Sequence, residues 1–110
     1  VISNNIIYGT SDDGVEATDS AGVQITGNAI GWTNLAGTVP GAVNNIGAEG
    51  VDVNNSPGAN ISNNKITRTV SNGISINPSP NSVIQGNNIL NVGGHGVLVN
   101  AGSHNSDVLD

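Results

Sequence analysis

Short apolar pairs alternate with polar residues along this chain. Val51 and Val53 are typical: apolar residues at positions i and i+2 lie on one face of a β-strand. Clusters of Asn, Gly, Ser and Pro separate the pairs, as in NGISINPSPNSVIQGNNI over residues 72–89. Apolar residues nowhere recur with the helical spacing of about 3.6 residues. The pattern therefore predicts an all-β chain of very short strands joined by turns.

The pattern repeats every 23 residues. Asn5 lies 23 residues before Asn28, but Gly14 lies 36 before Gly50, which is one repeat plus 13 residues. With that insertion, equivalent residues form rows. The rows are Gly14, Gly50, Gly73 and Gly96; the pairs Val15/Ala17, Val51/Val53, Ile74/Ile76 and Val97/Val99; Ile2, Ile25, Ile61 and Ile84, with Val108 if the last turn gains one residue; Asn5, Asn28, Asn64 and Asn87; and Ile7, Ile30, Ile66 and Ile89.

Stacked repeats explain how such short strands are stabilised. A strand of three or four residues cannot bury itself, but it can pair with its counterpart one repeat away and share a core with it. We therefore predict a parallel β-helix of between four and five coils, with residues 1–110 as one segment of a longer solenoid. Residues 32–49 contain the insertion and are called the inserted loop. Because open solenoid ends expose strand edges, neighbouring coils, capping elements or another chain are expected at both ends.

The asparagine row predicts an internal ladder. A buried amide stacked on identical amides can donate to one neighbour and accept from the other. Asn also tolerates the left-handed backbone conformation, so we expect Asn5, Asn28, Asn64 and Asn87 to adopt it at a tight corner. The glycine row is expected to occupy turn positions of positive φ for the same reason.

Composition narrows the possible partners. The chain has two basic residues, Lys65 and Arg68, and eight acidic residues, so its net charge is −6. This negative charge argues against nucleic-acid binding. No apolar run reaches membrane-spanning length, so we expect no membrane insertion. The chain has no cysteine, so cysteine content does not indicate whether its compartment is oxidising or reducing.

The repeated strand and corner resemble the right-handed parallel β-helix proteins of the pectin-lyase-like superfamily. GVQITGNAI over residues 22–30 and SVIQGNNIL over residues 82–90 show the pattern. Within that superfamily, the repeat pattern is most similar to that of alginate (mannuronan) C5-epimerases and related surface or periplasmic proteins. The Asp-Pro-His signature of the epimerase catalytic site does not occur in this chain. The resemblance implies an extracellular, cell-surface or periplasmic location. It also implies a ladder between the second and third sheets, and a cleft along a first sheet that contains the Gly-row strands.

Four carboxylates are predicted to gather on that first sheet. Glu16 and Asp52 point outward on adjacent coils, and Asp13 and Glu49 directly precede the glycines of the same two coils. Stacked like charges about 5 Å apart repel by roughly 1 kcal/mol or more, which favours a bound cation or raised pKa values. Three interpretations stay open: a solvated acidic patch, a Ca²⁺ site formed by Asp13, Glu16, Glu49 and Asp52, and catalytic carboxylates (Glu16, Asp52 and Asp13) acting on sugar.

Three further residues are candidates for substrate contacts. Trp32 opens the inserted loop, where its indole is either a platform for a sugar ring or folded over Leu35 and Val39. Arg68 follows Trp32 by 36 residues, so we expect it at the equivalent position one coil on, beside Trp32. His95 ends the row that begins with Asp13, and is either a turn residue or a proton carrier.

These features lead to three hypotheses of function. The first is a β-helical scaffold or carbohydrate-contacting segment of a larger extracellular or cell-surface protein. Its expected partner is a polysaccharide, and Ca²⁺ is the one candidate cofactor. The second is part of a polysaccharide lyase, C5-epimerase or glycoside hydrolase. The third is a purely structural adhesin or fibre shaft.

Overall fold

A computed structural model describes residues 1–109, and over this range the chain forms thirteen short parallel strands. The strands are β1 Ile2–Ser3, β2 Ile6–Ile7, β3 Val15–Thr18, β4 Gln24–Thr26, β5 Ala29–Ile30, β6 Val51–Asn54, β7 Asn60–Ser62, β8 Lys65–Thr67, β9 Ile74–Ile76, β10 Val83–Gln85, β11 Asn88–Leu90, β12 Val97–Val99 and β13 Asp107–Leu109. No helix in the described range is long and apolar enough to cross a membrane. The predicted all-β architecture is confirmed.

The strands stack into three parallel sheets, each built from every third strand. The first sheet has the order β3-β6-β9-β12, the second β1-β4-β7-β10-β13, and the third β2-β5-β8-β11. Each strand pairs with its counterpart in the next coil: Ile25 pairs with Ile61, and Ile84 with Val108. The predicted register is thus confirmed, including the extra residue in the last turn.

The core is a column of β-branched side chains from all three sheets. Alternation places every second residue of a strand inside, so Val51 and Val53 are fully buried and Asp52 between them is not. Fully buried isoleucines from all three sheets belong to one hydrophobic cluster, whose buried members include no aromatic residue. Among them are Ile25 and Ile61 of the second sheet, Ile30 and Ile66 of the third, and Ile74 and Ile76 of the first.

The asparagine ladder occupies the corner between the second and third sheets. The main-chain N–H and the side-chain amide of Asn28 both donate to Oδ1 of Asn64, at 2.9 and 3.0 Å. The second amide hydrogen of Asn28 goes to the carbonyl of Ile2. The ladder residues are not in the left-handed region, and that part of the prediction is wrong. The residue before each of them has the positive φ instead: Asn4, Gly27, Asn63 and Gly86.

The expected positive φ of the glycine row is also wrong. Gly14, Gly50, Gly73 and Gly96 all lie outside the left-handed region. Close approach explains the glycines in the first three coils. A Cβ on Gly50 would lie 2.6 Å from the Gly73 carbonyl oxygen and 2.6 Å from Cγ2 of Ile66. The absence of a side chain lets consecutive coils approach closely at this corner.

A second ladder, which the sequence analysis missed, lies in the turn between the first and second sheets. The main-chain N–H of each serine donates to the hydroxyl oxygen of the serine one coil on: Ser20 to Ser56 at 3.0 Å, Ser56 to Ser79 at 2.8 Å, and Ser79 to Ser103 at 3.1 Å. Ser56, Ser79 and Ser103 are buried. This row satisfies buried turn N–H groups that no strand partner reaches.

The inserted loop leaves the solenoid after Gly31 and rejoins it at Asn45. Ile46 bridges Thr10 on one side and Thr69 on the other, and Ile46 is fully buried. Asn45 is therefore the register equivalent of Arg68, and the expected equivalence of Trp32 and Arg68 is wrong. The step from Gly14 to Gly50 is 36 residues wherever the 13 inserted residues begin. Spacing alone therefore could not locate the insertion within the repeat.

Candidate functional site

The outer face of the first sheet presents two parallel rows of outward side chains. Pairing of the strands places Glu16 beside Asp52, Asp52 beside Ser75, and Ser75 beside Leu98. This first row changes in character along the axis: Glu16 is exposed, Asp52 is half-buried, and Ser75 is only 4% exposed. The predicted proximity of Glu16 and Asp52 on adjacent coils is confirmed.

The second row consists of amides that are bonded to one another along the axis. Asn77 donates from Nδ2 to Oδ1 of Asn54 at 2.6 Å, and Asn100 donates in the same way to Oδ1 of Asn77. Thr18 takes the same position in the first coil, paired with Asn54. The sequence analysis missed this row, although Asn54, Asn77 and Asn100 follow the 23-residue period and could have been found from it.

Asp52 lies where the two rows meet. Its Oδ2 accepts from Nδ2 of Asn54 and its Oδ1 accepts from Nδ2 of Asn77, both at 2.9 Å. Burial raises the pKa of Asp52, the amide of Asn54 lowers it, and the nearby charges of Glu49 and Glu16 raise it further. The carboxylate is thus held in one orientation and is easier to protonate than a free aspartate.

Asp13, Glu49, Asn72 and His95 form a third row at the edge of the first sheet, as predicted. Oδ1 of Asp13 accepts the main-chain N–H of Glu49 at 2.9 Å, and Oδ1 of Asn72 accepts that of His95 at 2.8 Å. Glu49 lies between them, where its Oε1 accepts from the hydroxyl of Ser71 at 3.0 Å and from Nδ2 of Asn72 at 3.4 Å. Side chains of this row therefore fasten each coil to the next.

Asp13 has the more strongly perturbed carboxyl group. Burial raises its pKa from 3.8 to about 6. The hydrogen bond from the Glu49 main chain opposes this shift, whereas the side chain of Glu49 and the charge of Asp52 add to it. Near neutral pH a fraction of Asp13 is consequently protonated and able to donate a proton.

The predicted Ca²⁺ ligands adjoin one another without forming a chelate. Among residues 1–109, no three His, Cys, Asp or Glu side chains converge so that they could hold a metal ion. Asp13, Glu49 and Asp52 instead accept from the protein's own N–H and O–H groups. The calcium site stays a prediction.

The two basic residues contact the inserted loop. Arg68 donates from Nη1 to the carbonyl oxygen of Gly41 at 2.7 Å. Lys65 packs on Gly37, since a Cβ on that glycine would lie 2.5 Å from Cδ of the lysine. Both contacts hold the loop against the third sheet and its adjoining turn. A role of Arg68 in substrate binding stays a prediction.

Trp32 begins the loop as a half-buried residue. It forms an antiparallel bridge with Pro40, and Thr33 next to it donates to the carbonyl of Val39 at 2.8 Å, which closes a small hairpin. The indole Nε1 is buried and has no hydrogen-bond partner among the described residues. The indole is therefore not a freely exposed platform in this conformation, and a sugar contact by Trp32 stays a prediction.

His95 is exposed at the far end of the row that Asp13 begins. Three coil steps separate the two residues, which corresponds to about 14 Å from the strand spacing. They are too far apart to act on one glycosidic bond. The structure thus groups Asp13, Glu16, Glu49 and Asp52 on two coils, and leaves His95, Trp32 and Arg68 outside that group.

Comparison with known proteins bears on the family alone. No curated protein and no solved structure matches the chain at a significant level. The resemblance to alginate epimerases in particular stays a prediction. The family model described as "Right handed beta helix region" matches residues 1–109. Together with three sheets of stacked parallel strands, this match shows that the chain belongs to the right-handed β-helix family.

Proposed function

We propose that this chain is a β-helical scaffold that contacts polysaccharide along the outer face of its first sheet, in a protein located outside the cell, at its surface or in the periplasm. The row of Thr18, Asn54, Asn77 and Asn100 carries the proposal. The row is polar, lies on the outside of the solenoid and runs through four consecutive coils.

The row has the form that an extended carbohydrate chain requires. Its side chains repeat about every 4.8 Å along the axis, so a linear polymer lying parallel to the axis meets the same groups in each coil. Oδ1 of Asn54 and Oδ1 of Asn77 each accept one bond within the row, so each can still accept a second bond from a sugar hydroxyl group. The hydrogen bonds of Asn77 to Asp52 and Asn54 fix these side chains before a ligand arrives, which reduces the entropy lost on binding.

The proposal is tested by binding to a panel of one neutral glucan, alginate and pectate, measured by calorimetry or affinity electrophoresis. Asn77→Ala is expected to weaken binding at least tenfold, because it removes the central amide and releases Asp52. Asn60→Ala is the matched control, since Asn60 is an exposed strand residue on the second sheet. If no polymer binds, or if both variants weaken binding equally, the proposal is wrong.

A second candidate is an enzyme segment, a polysaccharide lyase, epimerase or hydrolase. The pKa of about 6 at Asp13 favours it, because a general acid or base works best when its pKa is near the operating pH. Glu16 and Asp52 would be the neighbouring carboxylates. Turnover is assayed on the same polymers through unsaturated products, new reducing ends and uronate composition, with Asp13→Asn as the expected inactive variant. Turnover that survives Asp13→Asn would exclude this assignment of the acid.

A further inference from the structure

The amide row of the first sheet (Asn54, Asn77 and Asn100) has few free hydrogen-bond donors. Asn77 gives one amide hydrogen to Oδ1 of Asp52 at 2.9 Å and the other to Oδ1 of Asn54 at 2.6 Å, so none is left for a ligand. Asn54 gives one of its own to Oδ2 of Asp52 at 2.9 Å, and Asn100 gives one to the row. Each accepting oxygen keeps a second lone pair. The row therefore fits a ligand that donates more hydrogen bonds than it accepts.

Negative charge lies directly beside the amide row. Asp52 is bonded to two of the amides, and one coil before it Glu16 accepts from the hydroxyl of Thr18 at 3.3 Å. Burial raises the pKa of Asp52, and the charges of Glu49 and Glu16 raise it further. These carboxylates are therefore close enough to repel one another, and a positively charged ligand on the row would relieve that repulsion.

Both basic residues lie on another side of the solenoid. Lys65 belongs to β8 of the third sheet, and Arg68 just after that strand bonds the inserted loop. His95, at the edge of the first sheet, is two coils from Asp52, which corresponds to about 10 Å from the strand spacing. Within the described range, no cationic side chain therefore offsets the carboxylates of Glu16 and Asp52.

Ser75 supplies an independent observation on the same face. It follows Asp52 in the outward row of the first sheet and precedes Asn77 by two residues. Ser75 is only 4% exposed, yet its hydroxyl forms no hydrogen bond within residues 1–109. Its Oγ is not among the unbonded side-chain atoms that are sealed from solvent, so a ligand on the outer face can reach it. Ser75 thus offers a hydroxyl group that the fold itself does not use.

We infer, resting on the proposed function, that the polysaccharide at this face is a polymer of amino sugars with free, protonated amino groups. Such a group brings positive charge and three donors, and it has no acceptor. Amino groups bond the carboxylates of Asp52 and Glu16, while neighbouring sugar hydroxyls donate to Oδ1 of Asn54 and Oδ1 of Asn77. A polyuronate is disfavoured, because its carboxylates add acceptors and negative charge to a face that already has both.

Two sugar hexamers of the same backbone test this inference: the hexamer of glucosamine, and the hexamer of N-acetylglucosamine, whose nitrogen carries an acetyl group and no charge. Binding of each to the purified chain is measured by calorimetry at about pH 6, where most free sugar amines are protonated. EDTA in the buffer excludes a calcium bridge, and a galacturonate hexamer is measured alongside. We expect the glucosamine hexamer to bind at least tenfold more tightly than the acetylated one, and the galacturonate hexamer to bind most weakly.

Glu16→Gln should reduce the preference for the glucosamine hexamer at least fivefold, whereas Ser75→Ala should weaken both glucosamine-type hexamers alike. Asp107→Asn is the matched control: it removes the same charge from an exposed residue of the second sheet and should keep the preference. Equal binding of the two hexamers would overturn the inference and leave the proposed function standing. A preference that Glu16→Gln and Asp107→Asn reduce equally would also overturn it, since net charge alone would then explain the binding. If neither these hexamers nor any polymer of the panel binds, the proposed function fails as well.

Discussion

The side-chain amide of Asn64 and its main-chain N–H both donate to the same oxygen, Oδ1 of Asn87, each at 2.9 Å. One acceptor therefore holds both the backbone corner and the side chain of the preceding coil. The other amide hydrogen of Asn64 goes to the carbonyl of Ile25 in the coil before it. Asn28 and Asn64, the two inner residues of the ladder, in this way each connect three consecutive coils.

Asn64→Ala is expected to lower the free energy of unfolding by about 3–5 kcal/mol. The substitution leaves two buried donors of Asn28 without an acceptor, and each unsatisfied donor costs about 1–3 kcal/mol. Urea unfolding followed by circular dichroism measures this loss. Asn5→Ala is the matched control at the exposed end of the ladder. There water replaces the lost partner, and the loss should stay below about 1 kcal/mol. Equal losses at both positions would contradict the account.

The glycine row allows an internal comparison of the same substitution. Gly50→Ala is expected to cost about 2–3 kcal/mol, since its Cβ would overlap backbone of the next coil. Gly96→Ala should change stability by no more than about 1 kcal/mol, in either direction, because its Cβ enters open space and the unfolded chain loses freedom. Thermal unfolding of the two variants at a concentration below any association measures the difference. A large loss in Gly96→Ala would show that the row is glycine for a reason other than coil contact.

The sequence predicts the architecture well because equivalent residues 23 positions apart must stack if the strands pair in parallel. Ile25, Ile61 and Ile84 could be placed in one column without any knowledge of the turns between them. The backbone conformation at the corners was harder to predict. Asn63 and Asn64 are adjacent and chemically identical, yet the first has the positive φ and the second forms the ladder, and only the three-dimensional corner distinguishes them.

The candidate site was predictable in part for the same physical reason. Spacing correctly placed Glu16 beside Asp52 and Asp13 beside Glu49. It could not show that amides of Asn54 and Asn77 hold Asp52, because Asn is frequent in this chain and most copies occupy turns. The role of Arg68 depends on the path of the inserted loop, which no repeat constrains.

Arg68 is expected to control the order of the inserted loop. It combines a positive φ of 55° with the hydrogen bond to Gly41, so Arg68→Ala would mix backbone strain with the loss of that bond. Arg68→Asn separates the two, since Asn91, one coil on, adopts the same region. We expect Arg68→Asn to change global stability by less than about 1 kcal/mol. It should also raise hydrogen exchange and proteolytic cleavage between Thr33 and Asn44. Unchanged protection of that segment would show that other contacts hold the loop.

Asp13 makes the stability of the fold depend on pH. Its pKa is raised in the folded chain, so the folded state binds more protons than the unfolded state between pH 3.8 and about 6. The contribution of Asp13 to stability is therefore fully present below pH 3.8 and is lost as the pH rises through 6. A shift of this size corresponds to about 3 kcal/mol, which partial exposure and screening by solvent reduce to about 1 kcal/mol.

Asp13→Asn should remove this dependence, because a neutral amide accepts the Glu49 N–H equally well and can donate to the Glu49 carboxylate. Asn72 shows that an amide fits this row, since its Oδ1 accepts the main-chain N–H of His95 in the following coil and its Nδ2 donates to Glu49 in the preceding coil. We expect the variant to be more stable than the parent by about 1 kcal/mol at pH 8, and by nothing at pH 3.5. Melting temperatures across this pH range measure the difference, with Asp107→Asn, exposed on β13, as the control that should keep the parent's slope between pH 4 and 6. If the parent and Asp13→Asn kept parallel profiles, Asp13 would not be the titrating group.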